Sequence, residues 1–134
     1  MITRGILNNN PLNIRRSRAN NWKGQRPYQS DKEFVQFTDI FYGLRAAVIT
    51  IRNYHRKHGA KTLADIINRW APPTENHTLD YLRFVARESG IAPLQEVNFS
   101  DKSTIYCIIR AMAIYESNAR YIDKEIKLAV DLTM

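Results

Sequence analysis

Two carboxylates and two tryptophans of this chain occupy positions that bear on chemistry. Glu116 is the first. On a helix that carries Ile105, Ile109 and Met112 on one face, Glu116 falls seven positions beyond Ile109, about 20° away from it at 100° per residue. It therefore continues an apolar stripe at a helix C-terminus. Low dielectric and the negative helix end both oppose ionisation there. A carboxyl group kept protonated in this way has the property required of a general acid that cleaves a glycosidic bond. The competing reading is a carboxylate that turns to solvent as the helix ends and pairs with Arg120.

Glu75 follows the stiff Pro72-Pro73 pair. It is either a second carboxylate or sugar-contacting group, or an acid placed ahead of a helix that opens at Thr78. Trp70 and Trp22 offer flat faces for sugar rings, or else fill the core. His55, His58 and His77 show no metal-ligand spacing with a carboxylate, and no phosphate-binding loop, dinucleotide fingerprint or serine-nucleophile motif occurs. No metal or cofactor is expected.

The elements that must hold these residues read as mainly α. Asp39 caps a helix that runs to about His58 and closes at Gly59, with Phe41, Leu44, Val48, Ile51 and either Tyr54 or His55 as its stripe. Thr62 caps a short helix with Leu63, Ile66, Ile67 and Trp70 on one face, ended by Pro72-Pro73. A helix from Thr78 to Gly90 places Leu79, Leu82, Val85 and Ala86 inside. Ser100 with Asp101 opens the longest apolar helix, to about Ser117, and a last helix after Tyr121 buries Ile122, Ile126, Ala129 and Val130. Glu33–Phe37 alternates as a short strand. Residues 1–30, with Asn8, Asn9, Asn10, Asn13, Asn20 and Asn21, read as turns and irregular chain, not helix. The predicted organisation is a basic, asparagine-rich segment over 1–30, packed on or extending from the body, and a helical domain over 31–134.

At 134 residues the chain fits one hydrophobic core, and 44% hydrophobic with 25% charged residues is ordinary globular usage. Cys107 is its one cysteine, which excludes an intramolecular disulfide. No apolar run approaches a membrane span, and no signal-peptide core follows Met1-Ile2-Thr3-Arg4. The net charge of +7 is uneven. Arg4, Arg15, Arg16, Arg18, Lys23 and Arg26 lie in residues 1–30, which hold no acid, while residues beyond are nearly balanced. Such a front attracts a polyanion: nucleic acid, an acidic protein surface or an anionic cell wall. It is equally the composition of a solvated arm. A sequence-specific DNA regulator is disfavoured, because the charge lies on irregular chain and no helix-turn-helix pairing emerges.

Arg4–Arg15 resembles the "RGIRNNNPGNIR" opening of a family of small phage and prophage virion proteins, and Arg69–Thr78 resembles its "RWAPPxENxT" segment. Gln36-Phe37 with Tyr42–Ala46, and Ala113–Asn118, are similar to its "F…xxGxRA" and "AIxxENG" stretches. The resemblance implies a virion protein, made in the host cytoplasm, with other virion proteins (capsid or tail) as partners. A second resemblance is to lysozyme-like glucosaminidases, whose catalytic Glu stands at a helix end before an "NNxFGIK" stretch. Here the order is rotated, as in a circular permutation. It implies an α+β lysozyme-like fold acting on the glycan strand of peptidoglycan. Glu116 is then the general acid and Glu75 a candidate partner. Asn10 and Asn13 line the cleft floor, and Trp22 and Tyr42 flank the glycan; Trp70 is a further candidate by residue type. Leu12 and Asn118 each replace a glycine of the family pattern, which predicts an altered turn beside Glu116.

Overall fold

The computed structural model describes residues 2–74 and 77–134 and contains six helices: α1 Arg4–Leu7, α2 Ile40–His58, α3 Leu63–Trp70, α4 Thr78–Ser89, α5 Lys102–Ser117 and α6 Asp123–Thr133. The fold is mainly helical. Its long helices start and stop where local chemistry tells them to. The Asp39 carboxylate accepts from Phe41 N–H, Thr62 and Asp65 form a reciprocal capping box, and Asp101 accepts from Thr104 N–H. Gly59 and Gly90 close α2 and α4 in the left-handed conformation, at φ 71° and 73°.

α6 packs chiefly along α2, and α5 touches α4, α6, α2 and α1, so α5 is central. Its Ile105, Ile108, Ile109 and Met112 are fully buried, as are Leu44, Val48 and Ile51 of α2, Ile66 and Ile67 of α3, and Ile126 of α6. On α4 the buried face is Thr78, Tyr81, Leu82 and Val85, whereas Leu79 is exposed. The expected stripe was thus one position out of phase at its start, because leucine was taken for the inner residue where tyrosine is.

The N-terminal part differs from expectation in two ways. Arg4–Leu7 is one turn of helix, not irregular chain. Gly5 allows it to sit on the end of α5: a Cβ there would stand 2.0 Å from Ser117 Oγ. Secondly, Glu33–Phe37 forms no strand. Phe34 pairs with Arg15 and Phe37 with Gln25 through isolated bridges, so each neighbour supplies only one pairing position. Val35, Gln36 and Phe37 are all buried, Gln36 through side-chain hydrogen bonds to Asn8 and Ser30, so the segment is covered on both sides without a ladder.

The asparagines are structural. Asn10, fully buried, donates to the carbonyls of Ile14 and Val35 at 3.0 and 2.9 Å and accepts from Ile14 N–H at 2.9 Å. Asn9, Asn13 and Asn118 take the left-handed conformation at φ 54°, 54° and 50°, which short polar side chains tolerate best after glycine. Asn118 therefore makes the C-cap turn itself, and its replacement of a glycine leaves the end of α5 in the usual geometry. Leu12 has no positive φ and is fully buried in the core.

The basic front is partly neutralised from the residues just beyond it. Arg4 grips Asp31 through two hydrogen bonds of 2.7 Å and lies 4.6 Å over the Phe34 ring. Asn8 and the N–H groups of Glu33 and Phe34 also donate to Asp31. The Arg4 guanidinium holds the Asp31 carboxyl well below the usual carboxylate range. Arg26 donates to the carbonyls of Phe37 and Leu7. We expect Asp31→Asn to lower stability in urea unfolding at neutral pH, since the charge-assisted bonds from Arg4 are lost, an effect moderated by solvent at the half-exposed guanidinium. Because the folded-state pKa is depressed, this contribution is present above the ordinary aspartate value of 3.8 and is lost as pH falls below it. The gap between wild type and variant should therefore close in acid; a gap independent of pH would refute the assignment.

Candidate functional site

The end of α5 delivers Glu116 to a cleft of about 340 Å3 lined by Asn13, Ile14, Arg15, Phe34, Thr50, Tyr54, Arg69, Trp70, Ala71 and Pro72. Segments distant in sequence meet around it. The N-terminal loop brings Asn13, α3 ends in Trp70, α4 passes behind with Tyr81, and α2 contributes Thr50 and Tyr54.

Glu116 is partly buried and meets three donors. Tyr81 Oη–H and Trp70 Nε1–H both donate to Oε2, at 2.9 and 3.2 Å. Asn13 Nδ2 donates to Oε1 at 3.2 Å and to the Glu116 carbonyl at 3.3 Å. The carboxylate does not pair with Arg120, which donates instead to Asn118. Burial raises the Glu116 pKa above the ordinary value; the bonds from Asn13, Tyr81 and Trp70 and the charge of Arg15 oppose that rise without cancelling it. The same burial, with the neighbouring carboxylate, pushes the Tyr81 hydroxyl well up, so Tyr81 acts as a donor across the physiological range. Tyr81 is stacked on Tyr115 at 4.1 Å, and Trp70 meets Tyr54 edge-on at 6.3 Å. Tyr81 and Trp70 are thus held by packing as well as by the carboxylate.

The charge geometry gives an expectation for Tyr81→Phe. Removing the hydroxyl deletes a donor that favours the ionised form, so the Glu116 pKa should rise further, read by carbon-detected NMR titration of the side-chain carboxyl. A fall would mean that Tyr81 does not donate to it.

Of the residues singled out from sequence, Asn13, Trp70 and Glu116 are brought together. Asn10 is fully buried with its amide bonded to backbone and is not among the cleft-lining residues. Trp22 and Tyr42 pack against the core under the Gly24 turn, where a Cβ would meet the Tyr42 ring, and are not among the cleft-lining residues. Glu75 lies outside the described residues. Among the described cleft-lining residues Glu116 is the one carboxylate. His55 stacks on Phe99 and bonds the Ala60 carbonyl, away from the cleft. Sequence reasoning missed Tyr81 and Arg69. The signal for Tyr81 was present in the spacing of Thr78, Tyr81, Leu82 and Val85; nothing in the sequence singled out Arg69.

A second concavity, lined by Arg16, Ser17, Arg18, Asn20, Gln25, Gln29, Lys32 and Val35, carries three cations and no acid among its described residues. Among the described residues, no helix is long and apolar enough to cross a membrane.

No protein-family model matches the sequence. The chain is 37% identical over 127 residues to Protein P5 of Pseudoalteromonas phage PM2, a match that spans 92% of this chain and 78% of that protein. Identity at that level over nearly the whole chain shows the family: the chain belongs to the family of the phage PM2 Protein P5.

Proposed function

We propose that this chain is a structural component of a phage particle. The observation that carries the reading is the similarity to a phage protein along almost its whole length. The basic N-terminal segment serves as the docking surface toward other virion proteins. Its active part is narrower than the sequence implies. Arg4 and Arg26 are engaged internally, and Arg16 donates to the Asp31 carbonyl at 2.9 Å; Arg16, Arg18 and the neighbouring Lys32 line the basic concavity. Mass spectrometry of gradient-purified, nuclease-treated particles tests this. The protein should co-purify at fixed stoichiometry, and its absence from infectious particles would overturn the reading.

A second reading is favoured by one specific observation, the protonatable Glu116 at the head of a cleft. The particle carries this protein to the host wall, where it cleaves the glycan strand of peptidoglycan. Protonated Glu116 gives its proton to the glycosidic oxygen as the C1–O4 bond breaks. The 6-hydroxyl of the same sugar then bonds to C1, and its proton passes to the Glu116 carboxylate, which restores the acid and leaves an anhydro end. A cleft with one carboxylate suits this route; hydrolysis through paired carboxylates needs a second one, such as Glu75. Mass analysis of fragments released from purified peptidoglycan decides between anhydro and reducing ends. No release by folded protein from walls of several chemotypes would remove the enzymatic reading and leave the structural one.

A further inference from the structure

The mouth of the Glu116 cleft is made by two cations from different parts of the fold, Arg15 from the N-terminal loop and Arg69 from the last turn of α3. Each is exposed, and each guanidinium lies on an aromatic ring that also lines the cleft. Arg15 stands 5.1 Å from the centre of Phe34, and Arg69 stands 5.4 Å from the centre of Tyr54. Stacking fixes the plane of a guanidinium and leaves its in-plane N–H groups for hydrogen bonding.

This arrangement has a consequence for what the cleft recognises. A neutral sugar is held by laying its C–H face on an aromatic ring. Here the faces of Phe34 and Tyr54 are shared with guanidinium groups, so the two walls offer positive charge in place of bare rings. Internal neutralisation is weak. Glu33 is the acid beside Arg15, at 3.5 Å; it is exposed and also faces Arg4 at 3.3 Å. Exposed contacts of this kind contribute little. Among the described residues Arg69 has no ion-pair partner. A bidentate carboxylate is the group that two such forks fit best.

Resting on the glycan reading of the cleft, we infer that Arg15 and Arg69 select glycan that bears carboxylates, on the lactyl ether of the sugar or on a peptide attached to it, over neutral glycan. They are specificity-determining residues and take no part in bond cleavage.

The test is binding of full-length Glu116→Gln protein, measured by calorimetry at low salt. The probes are four tetrasaccharides: chitotetraose; alternating N-acetylglucosamine and N-acetylmuramic acid with free lactyl acids; the same with lactyl methylamides; and the same with lactyl groups capped by an alanyl-glutamate dipeptide. A free-acid or dipeptide-bearing probe should bind at least about tenfold tighter than the methylamide form. Adding Arg15→Gln or Arg69→Gln should erase most of that preference, as should raised salt. Which of the two acidic probes is preferred identifies the source of the carboxylate. Equal binding of the acidic and methylamide probes, or a preference that survives in both arginine variants, overturns the inference and leaves the glycan cleft standing. Failure of every tetrasaccharide to bind overturns the glycan reading and this inference with it. Thermal melts of the variants confirm folding, which substitutions of two exposed arginines leave intact.

Discussion

Glu116→Gln should abolish release of soluble glycan from peptidoglycan, by about 100-fold or more, because a positioned general acid contributes on that scale. The amide has the size of the carboxyl group and can still accept from Tyr81 and Trp70, so no cavity or orphaned donor is created on that side. Its NH2 group faces Asn13, whose Oδ1 is buried without a partner and becomes available as an acceptor when the amide turns. The variant should therefore fold at least as stably as wild type at neutral pH. The pH dependence carries a sign that separates a carboxyl kept protonated by burial from one held ionised by its donors. Burial raises the folded-state pKa of Glu116 above its ordinary value of 4.5. Its contribution to stability is then fully present below that value and declines as pH rises through the raised one. The non-titrating variant lacks this decline. Chemical denaturation at pH 4 and pH 8 should show the variant gaining on wild type as pH rises. Retained activity in the variant would remove Glu116 from the mechanism and turn attention to Glu75.

The largest purely structural effect is expected at Gly43. It lies in the first turns of α2, buried against the N-terminal loop, and a Cβ there would stand 2.0 Å from the carbonyl oxygen of Asn9 and 3.2 Å from Asn10 Cα. These are backbone atoms that cannot rotate aside. Gly43→Ala must push the loop off α2, at a cost of about 3 kcal/mol, the upper end for overpacking. For a chain of this size that lowers Tm by roughly 10 °C. The displaced loop is the one that carries Asn13 to Glu116, so any activity of the cleft should fall with stability. Gly59→Ala is the control: φ is 71° and nothing stands within 4 Å of the new Cβ, so the cost should be about 1 kcal/mol of backbone strain only. Equal melting temperatures for the two variants would show that the loop does not pack on α2 as described.

What was legible in the sequence was what is settled within one or two helical turns. Asp39, Thr62 and Asp101 cap the helices they precede, and Gly59 and Gly90 end theirs, because capping needs only near neighbours. The inward position of Glu116 followed from angular arithmetic along one helix. The contacts that were not legible join distant segments. Arg4 reads as a free base in a stretch without acids, yet its partner Asp31 stands 27 residues later, just past the charge boundary. The short helix α1 was hidden because its glycine, a poor helix former, is required by the approach to Ser117 and not by local preference. Tyr81 was passed over because Leu79 fits an apolar stripe as well on paper, and only α5 packing decides between them. For the cleft, then, the acid and two of its three donors, Asn13 and Trp70, are singled out by the sequence, Asn13 through the family resemblance, and Tyr81 is not.

The ties between the N-terminal loop and the end of α5 are hydrogen bonds from Thr3 to the Ser117 carbonyl, from Ser117 to the Pro11 carbonyl, and from Asn13 to Glu116. They close loops of 114, 106 and 103 residues. Contacts so remote in sequence are made late, since the chain between must be ordered before they repay its loss of freedom. During synthesis the loop emerges from the ribosome long before its seat exists. The cleft therefore assembles only once α5 has been made, and a translation product that stops short of α5 displays the basic loop without the acid.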